Sequence, residues 1–111
     1  MELIKKPWGE EVIYQRNDQY VCKLIKVKRG HRLSEQYHNE KTETMLFCGG
    51  EGAVTVDGKT YKIREGMVRH IPPKTVHRIE ATKKDVVFIE TSTPHLDDVV
   101  RLKDDYGRHK S

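Results

Sequence analysis

Short apolar runs recur along the whole chain, separated by glycine, proline and other turn-forming residues. The clearest runs lie at residues 20–27, 44–48, 53–56 and 86–89. Each has the length of a β-strand, and no segment keeps an amphipathic helical period long enough to predict a helix. Towards its end the run at 20–27 alternates apolar and basic residues, which is typical of a strand with one buried face. The pattern predicts an all-β fold of about eight or nine short strands.

Turn chemistry at two places supports this prediction. Asp57 and Gly58 separate two alternating runs, and this pair favours a type I′ hairpin because both central residues of that turn need positive φ. Pro72 and Pro73 cannot donate ladder hydrogen bonds, so a loop at 72–75 must leave the sheet. Because a chain of short antiparallel strands protects its edges by closing or doubling the sheet, we expect a sandwich or barrel.

The length of 111 residues is enough for one hydrophobic core and too short for two. We therefore expect a single domain over 1–111, with an N-terminal arm at 1–10 and a charged C-terminal tail from about 97 to 111. The tail is expected to be either a short amphipathic segment or partly disordered. Hydrophobic residues make up 35% and charged residues 34% of the chain, which predicts a folded domain with a strongly charged surface.

Charge, cysteine content and the N-terminal sequence limit the partners and the compartment. The 21 basic and 17 acidic residues are interleaved, so the net charge of +4 suits a small anionic ligand but does not indicate a nucleic-acid surface. Cys22 and Cys48 are too few for a disulfide framework and are expected to be small buried residues in a reducing compartment. No signal peptide or membrane-spanning stretch is recognisable. The sequence predicts a cytoplasmic protein that binds neither membrane nor nucleic acid.

Four residues form a candidate metal site. Gln36 and His38 have the spacing of two residues on the same face of a strand. A turn after His38 lets the next strand bring Glu43 back beside them, and His77, after the proline loop, can supply a fourth ligand. Two imidazole nitrogens, one carboxylate oxygen and one amide oxygen suit one divalent ion: Zn²⁺, Mn²⁺, Fe²⁺, Co²⁺ or Ni²⁺. We expect His31, His70, His95 and His109 to be ordinary surface or core residues.

Further charged residues are candidates for catalysis and substrate binding. Glu90 ends the apolar run at 86–89, where burial would raise the pKa of its carboxyl into a range suited to acid–base work. It is a candidate catalytic base, although a solvent-exposed strand end is the alternative. Basic side chains that can hold a phosphate are Lys41, Arg78, Arg101 and Arg108.

The spacing of these residues resembles the two motifs of the cupin superfamily. The first motif fits Gly30, Gln36, His38, Glu43 and Gly50, with glutamine in place of the usual first histidine. The second fits Gly66, Pro72 and His77, with Lys74 where glycine is usual. The resemblance implies a jelly-roll barrel, also called a double-stranded β-helix. Glu40 shares the strand parity of His38 and is an alternative ligand to Gln36, but only Gln36 keeps the spacing of the motif.

Within the cupins the chain resembles the C-terminal isomerase domain of type II mannose-6-phosphate isomerases over nearly its full length. The matching stretches are residues 6–9, 30–38, 71–73, 76–78, 97–101 and 104–108. Glutamine at the first ligand position is typical of that family. The bifunctional relatives carry a preceding nucleotidyltransferase domain whose glycine-rich motif is absent here, so guanylyltransferase activity is not expected. Residues 39–42 depart from the family's histidine-rich stretch.

The resemblance implies a metal-dependent sugar-phosphate isomerase that interconverts an aldose and a ketose through an enediol, with mannose 6-phosphate as the expected substrate. A homodimer is the default expectation for the oligomer. Two alternatives remain at this point. One is a non-catalytic cupin that binds a sugar or sugar nucleotide, and the other is a different metal-dependent cupin enzyme, such as an epimerase or dioxygenase.

Overall fold

The computed structural model describes residues 1–108 and contains β-strands but no helix within that range. The nine strands are β1 (Glu2–Lys6), β2 (Gly9–Arg16), β3 (Val21–Val27), β4 (Glu35–Tyr37), β5 (Glu43–Val56), β6 (Lys59–Lys62), β7 (Val68–Ile71), β8 (His77–Ser92) and β9 (Val100–Lys103). The all-β prediction and the approximate strand number are therefore confirmed.

Two long strands, β5 and β8, form the frame of the fold. They pair antiparallel from Glu43 opposite Ser92 to Val56 opposite His77, with register shifts in the middle of β5. The bend at these shifts needs glycine, because a Cβ on Gly52 would lie 1.9 Å from the Glu80 carbonyl oxygen. Each long strand thereby passes from one layer of the fold to the other.

The remaining strands extend the two layers. Strands β1, β2 and β3 pair in sequence, and β3 continues onto the C-terminal half of β8. Strand β7 pairs with the N-terminal half of β5, β6 pairs with the C-terminal half of β5, and β4 joins β8 to β9. The hydrophobic core lies between the layers and includes Phe47 and Phe88, whose ring centroids are 5.3 Å apart.

The predicted hairpin is present between β5 and β6. Asp57 and Gly58 both have positive φ, 48° and 80°, as a type I′ turn requires. The predicted proline loop likewise separates β7 from β8.

Three expectations about the ends and the cysteines need correction or completion. The N-terminal arm is not separate from the sheet, because β1 and the start of β2 lie within it. Part of the tail forms β9, which the sequence pattern did not predict, since its pairing with β4 is a long-range contact. Cys48 is exposed and Cys22 half-buried, so the expectation that both are buried was wrong. His109 and the end of the tail lie outside the described residues.

Within residues 1–108 the structure contains no helix with the length and hydrophobicity that crossing a membrane requires.

Candidate metal centre

Strand pairing brings the four predicted ligands to one end of the space between the layers. Gln36 in β4 lies directly opposite His77, the first residue of β8. His38 follows the end of β4, and Glu43 is the first residue of β5. All four side chains line the same cavity. Residues that are far apart in the chain therefore converge, because β4 runs antiparallel to β8 and the turn after β4 leads directly into the first residue of β5.

The proline loop fixes the position of His77. Lys74 within it has a φ of 62°, in the left-handed region where glycine is the easiest residue to accommodate. The backbone N–H of Lys74 donates to the His38 carbonyl at 2.6 Å, so this loop is tied to the segment that carries the other histidine. The usual glycine at this position is explained by that backbone conformation.

Asp98 holds the turn after β4 in place. Its carboxylate accepts hydrogen bonds from the backbone N–H groups of Asn39, Glu40 and Lys41, at 2.7 to 3.0 Å. These bonds lower the pKa of Asp98 to about 2. The backbone carbonyl of the same residue contacts Nδ1 of His38. One residue of the C-terminal segment thus positions both the turn and a candidate ligand.

The contacts of the two histidine rings define which nitrogen carries a proton. His38 Nδ1 contacts the carbonyl of Asp98, and His77 Nδ1 contacts the carbonyl of Thr75 at 2.8 Å. Because a carbonyl oxygen can only accept, both Nδ1 atoms must be donors. When the rings are neutral, each Nε2 then carries no proton and presents a lone pair. Both Nε2 atoms lie 3.0 Å from Oε1 of Glu43.

This donor set fits a cation. Two imidazole lone pairs and a carboxylate oxygen around one point repel each other unless positive charge lies among them. Protonating both rings would place two imidazolium groups side by side, with centroids 5.2 Å apart. The candidate ligand atoms of His38, Glu43 and His77 all lie within 4.8 Å of one another, and the three residues are buried. In metal sites, a histidine that binds the metal through one ring nitrogen usually donates a hydrogen bond from the other, often to a backbone carbonyl.

Gln36 lines the same cavity, and Glu40 does not join it. The amide nitrogen of Gln36 donates to Oγ of Ser34 at 3.0 Å, which leaves its amide oxygen free of that bond. The Glu40 carboxylate is exposed at the surface and lies 3.7 Å from His95. The structure therefore places Gln36, and not Glu40, in the lining of the cavity that also contains the two histidines and Glu43.

Glu90 is buried beside this cluster, as one of the two sequence alternatives predicted. Lys41 Nζ bridges it to the cluster, at 3.3 Å from Glu90 and 3.7 Å from Glu43. Burial raises the pKa of Glu90 to about 8, helped by the neighbouring Glu43 carboxylate. Burial also acts to raise the pKa of Glu43, and the charge of Lys41 acts to lower it.

Sequence reasoning missed a buried ion pair on the same inner surface. Lys23 in β3 lies 3.3 Å from Glu11 in β2, and both side chains line the cavity. Lys23 is also directly opposite Glu90 in the pairing of β3 with β8. The sequence contained a signal for this orientation. Glu11 lies two positions before Ile13 and Lys23 two positions before Ile25, and residues two positions apart in a strand share a face.

The predicted phosphate-binding arginines all line the cavity, but their partners differ. Arg78 donates to the Leu33 carbonyl and to Asp105, and Arg108 makes a bidentate pair with Asp104. Arg101 differs from both, because its Nε is buried without a hydrogen-bond partner among residues 1–108. Burial and the nearby charge of Arg108 lower the pKa of Arg101.

The fold is shared with solved structures of low sequence identity. KdgF from Halomonas superposes with a TM-score of 0.79 at 18% identity, covering 87% of this chain and 89% of that one. An uncharacterised Klebsiella pneumoniae protein with a double-stranded β-helix domain gives a TM-score of 0.73 at 15% identity, covering 90% and 84%. At these identities the comparison shows the fold alone, and that fold is the cupin barrel.

Relatives among the curated proteins have a higher sequence identity to this chain. A mannose-1-phosphate guanylyltransferase from Escherichia coli is 34% identical over 109 residues, which cover 95% of this chain and 23% of that protein. The chain thus spans about a quarter of the length of the curated relatives it matches. Residues 2–104 match the family model described as mannose-6-phosphate isomerase, C-terminal. The chain therefore belongs to the family of mannose-6-phosphate isomerase C-terminal domains, within the cupin superfamily.

Proposed function

We propose that this chain is a metal-dependent sugar-phosphate isomerase of the mannose-6-phosphate isomerase type. The observation that carries the proposal is the convergence of His38, His77 and Glu43 on one point, next to a second buried carboxyl, Glu90. An aldose–ketose isomerisation needs a site of this kind, with positive charge facing the sugar oxygens and one group that moves a proton.

We assign the metal ligands as His38, Glu43 and His77, with the amide oxygen of Gln36 as the fourth. A divalent ion held there supplies Lewis acidity, which polarises the sugar carbonyl and lowers the barrier to removing the neighbouring proton. The ion is one of Zn²⁺, Mn²⁺, Fe²⁺, Co²⁺ or Ni²⁺, because mixed nitrogen and oxygen donors suit all of them.

Glu90 is the proposed base. Its ionised carboxylate accepts the proton from one carbon of the C1–C2 pair, and the resulting acid returns it to the other. Lys41 lies close enough to stabilise the ionised form, with its Nζ 3.3 Å from the carboxylate. Glu90 lies on β8, two residues from Ser92, which is directly opposite Glu43 in the pairing of β5 with β8. The proposed base is therefore a neighbour of the proposed ligands and not one of them.

Arg101 is the proposed anchor for the phosphate. Its buried Nε has no hydrogen-bond partner among the described residues, whereas Arg78 and Arg108 already pair with aspartates. An anionic group at the cavity mouth would satisfy that donor and reduce the repulsion between Arg101 and Arg108. This favours a phosphorylated over a neutral sugar.

The decisive experiment is incubation of the metal-loaded protein with mannose 6-phosphate in D₂O. We expect fructose 6-phosphate, with deuterium at C1 or C2, because the proton held on Glu90 exchanges with solvent before it returns. A hydride shift would form the product without deuterium. Measurable sugar binding without turnover or exchange would instead support the non-catalytic binding module.

Glu90→Gln separates the base from the ligand shell. It should abolish exchange while leaving the metal content unchanged. Glu80→Gln, an exposed glutamate of the same strand, is the matched control and should keep both. Loss of metal in Glu90→Gln would show that Glu90 supports the ligand shell rather than the proton transfer.

A further inference from the structure

The buried ion pair of Lys23 and Glu11 lies in the cavity wall, and its polar atoms are only partly used. Both side chains line the cavity, and the two residues are 7% and 8% exposed. Nζ of Lys23 donates to Oε1 of Glu11 at 3.3 Å, which is the one hydrogen bond that this ammonium group makes to residues 1–108. An ammonium group has three donors, and buried donors are normally bonded. Two donors are therefore left for a group inside the cavity.

The stability of the fold does not explain why this pair is charged. Two buried charges lose their hydration, and apolar side chains of similar volume often stabilise a fold equally well. Apolar residues already lie around the pair, since Ile25 is directly opposite Glu11 and Trp8 lines the same cavity. A few polar groups placed among apolar ones in a concave wall are typical of a ligand-binding site.

Lys23 is a neighbour of the proposed base. It lies directly opposite Glu90 in the pairing of β3 with β8, and on the other side of β8 the strand β5 carries the candidate ligand Glu43. Glu90 therefore lies between the strand of Glu43 and the strand of Lys23. Neighbouring strands are about 4.8 Å apart. In a sugar with C1 and C2 at Glu90 and their oxygens towards the metal ligands, C3 and C4 lie within that distance of the base.

We infer that Lys23 and Glu11 together bind the sugar hydroxyls at C3 and C4. The inference takes its ligand, a sugar phosphate, from the proposed function and adds the groups that recognise the carbon chain. A hydroxyl can accept a hydrogen bond from Lys23 and donate one to Glu11, whose Oε2 lies outside the ion pair. A phosphate dianion can only accept and is repelled by the Glu11 carboxylate. The pair therefore selects hydroxyls and leaves the phosphate to Arg101.

Calorimetric titration of the wild-type protein loaded with Zn²⁺ tests the inference with two unreactive ligands. Mannitol 6-phosphate has no carbonyl group and cannot isomerise, and its 3,4-dideoxy analogue lacks only the two hydroxyls in question. We expect the analogue to bind about 10- to 100-fold more weakly, because hydrogen bonds to charged groups are lost. Equal affinities, or no binding of mannitol 6-phosphate, overturn the inference.

The double variant Lys23→Met/Glu11→Leu assigns that difference to the pair. It removes both charges together, so neither is left buried alone. It should bind the two ligands with equal affinity, close to that of the wild type for the dideoxy analogue. Lys84→Met/Glu51→Gln removes an exposed ion pair outside the cavity and, as the matched control, should keep the full difference.

The ratio of the two affinities separates binding from a structural role, since a distorted cavity would weaken both ligands alike. A double variant that keeps the wild-type ratio overturns the inference, because another group then recognises the hydroxyls. Glu11→Gln gives the same readout if the double variant does not fold. It keeps the volume and an acceptor for Lys23, and the ratio should fall because an amide oxygen accepts more weakly than a carboxylate.

Turnover of mannose 6-phosphate distinguishes failure of this inference from failure of the proposed function. A wild type that isomerises, with KM and kcat unchanged in the double variant, overturns the inference and leaves the isomerase in place. A wild type without turnover, whose preference for the hydroxyls is lost in the double variant, rejects the isomerase and supports the binding role of Lys23 and Glu11.

Discussion

The inner and outer faces of β2, β3, β8 and β5 reverse the usual distribution of polarity at the end of the barrel that carries the candidate metal centre. On the inner face, these strands carry Glu11, Lys23, Glu90 and Glu43, all buried. On the outer face, the adjacent positions or near neighbours carry Val12, Leu24, Ile89 and Leu46. The charged inner surface can be maintained because its members pair with one another and because Phe47, Phe88 and their neighbours supply the apolar core at the other end.

The difference shows that alternation along a strand does not say which face is inside. A strand with alternating polarity tells only that the two faces differ. Here the buried charges pair with one another, while the outer face carries apolar residues. The following four predictions test this comparison, beginning with the largest effect.

The largest effect is expected at the candidate ligands. His77→Ala should lower metal affinity by at least about 100-fold, because even residues that only orient a ligand contribute about 10- to 100-fold. His70→Ala is the control, since His70 is exposed on the outer face and bonds to Thr44. Titration of the metal-free protein with Zn²⁺ or Co²⁺ measures both. Equal metal affinities of the two variants would show that His77 is not a ligand and that the metal assignment to the inner face is wrong.

The second-largest effect is expected at the buried ion pair of Lys23 and Glu11, which should contribute more to the free energy of unfolding than a residue of the outer face does. Lys23→Met leaves Glu11 buried without its partner and should cost about 3–5 kcal/mol of unfolding free energy. Adding Glu11→Leu removes the remaining charge and should recover most of the loss. Urea unfolding of the single and double variants measures this coupling. A double variant as unstable as Lys23→Met would show that packing, rather than charge, is responsible.

Glu90 should make the metal-free protein less stable as pH rises. Its pKa of about 8 in the folded chain lies above its unfolded value, so between those two values the folded state binds more protons. Stability from this group is therefore present at low pH and lost as pH rises towards 8, with a slope of up to about 1.4 kcal/mol per pH unit. Comparing wild type and Glu90→Gln by urea unfolding at pH 5 and 8 isolates the effect. Parallel pH profiles would contradict it.

The smallest effect is expected on the outer face. Leu24 is 40% exposed, so Leu24→Ser should change the unfolding free energy by about 0.5 kcal/mol or less, as is usual for exposed positions. Urea unfolding of the variant and the wild type measures the change, and a loss as large as that of Lys23→Met would show that the two faces do not differ in this way.

Several features of the fold and the site were predictable from local sequence. The hairpin at Asp57 and Gly58 follows from backbone preferences of two residues, and the proline loop from the missing N–H groups at Pro72 and Pro73. The grouping of His38, Glu43 and His77 was predictable because motif spacing places each at a strand end. The exposure of Cys48 was not, since a small apolar residue in a strand has no local feature that assigns it to one face.

The amino-acid sequence by itself determined the strand content, the turns and the identity of the groups that meet at the candidate metal centre, because these depend on backbone propensity and on short spacings. Only the tertiary structure decided that Lys23 pairs with Glu11, that β9 pairs with β4, and that Val12, Leu24, Ile89 and Leu46 line up across four strands. Those outcomes depend on the register between strands that are distant in the chain. Register arises from the packing of the whole sheet, and no single strand contains it.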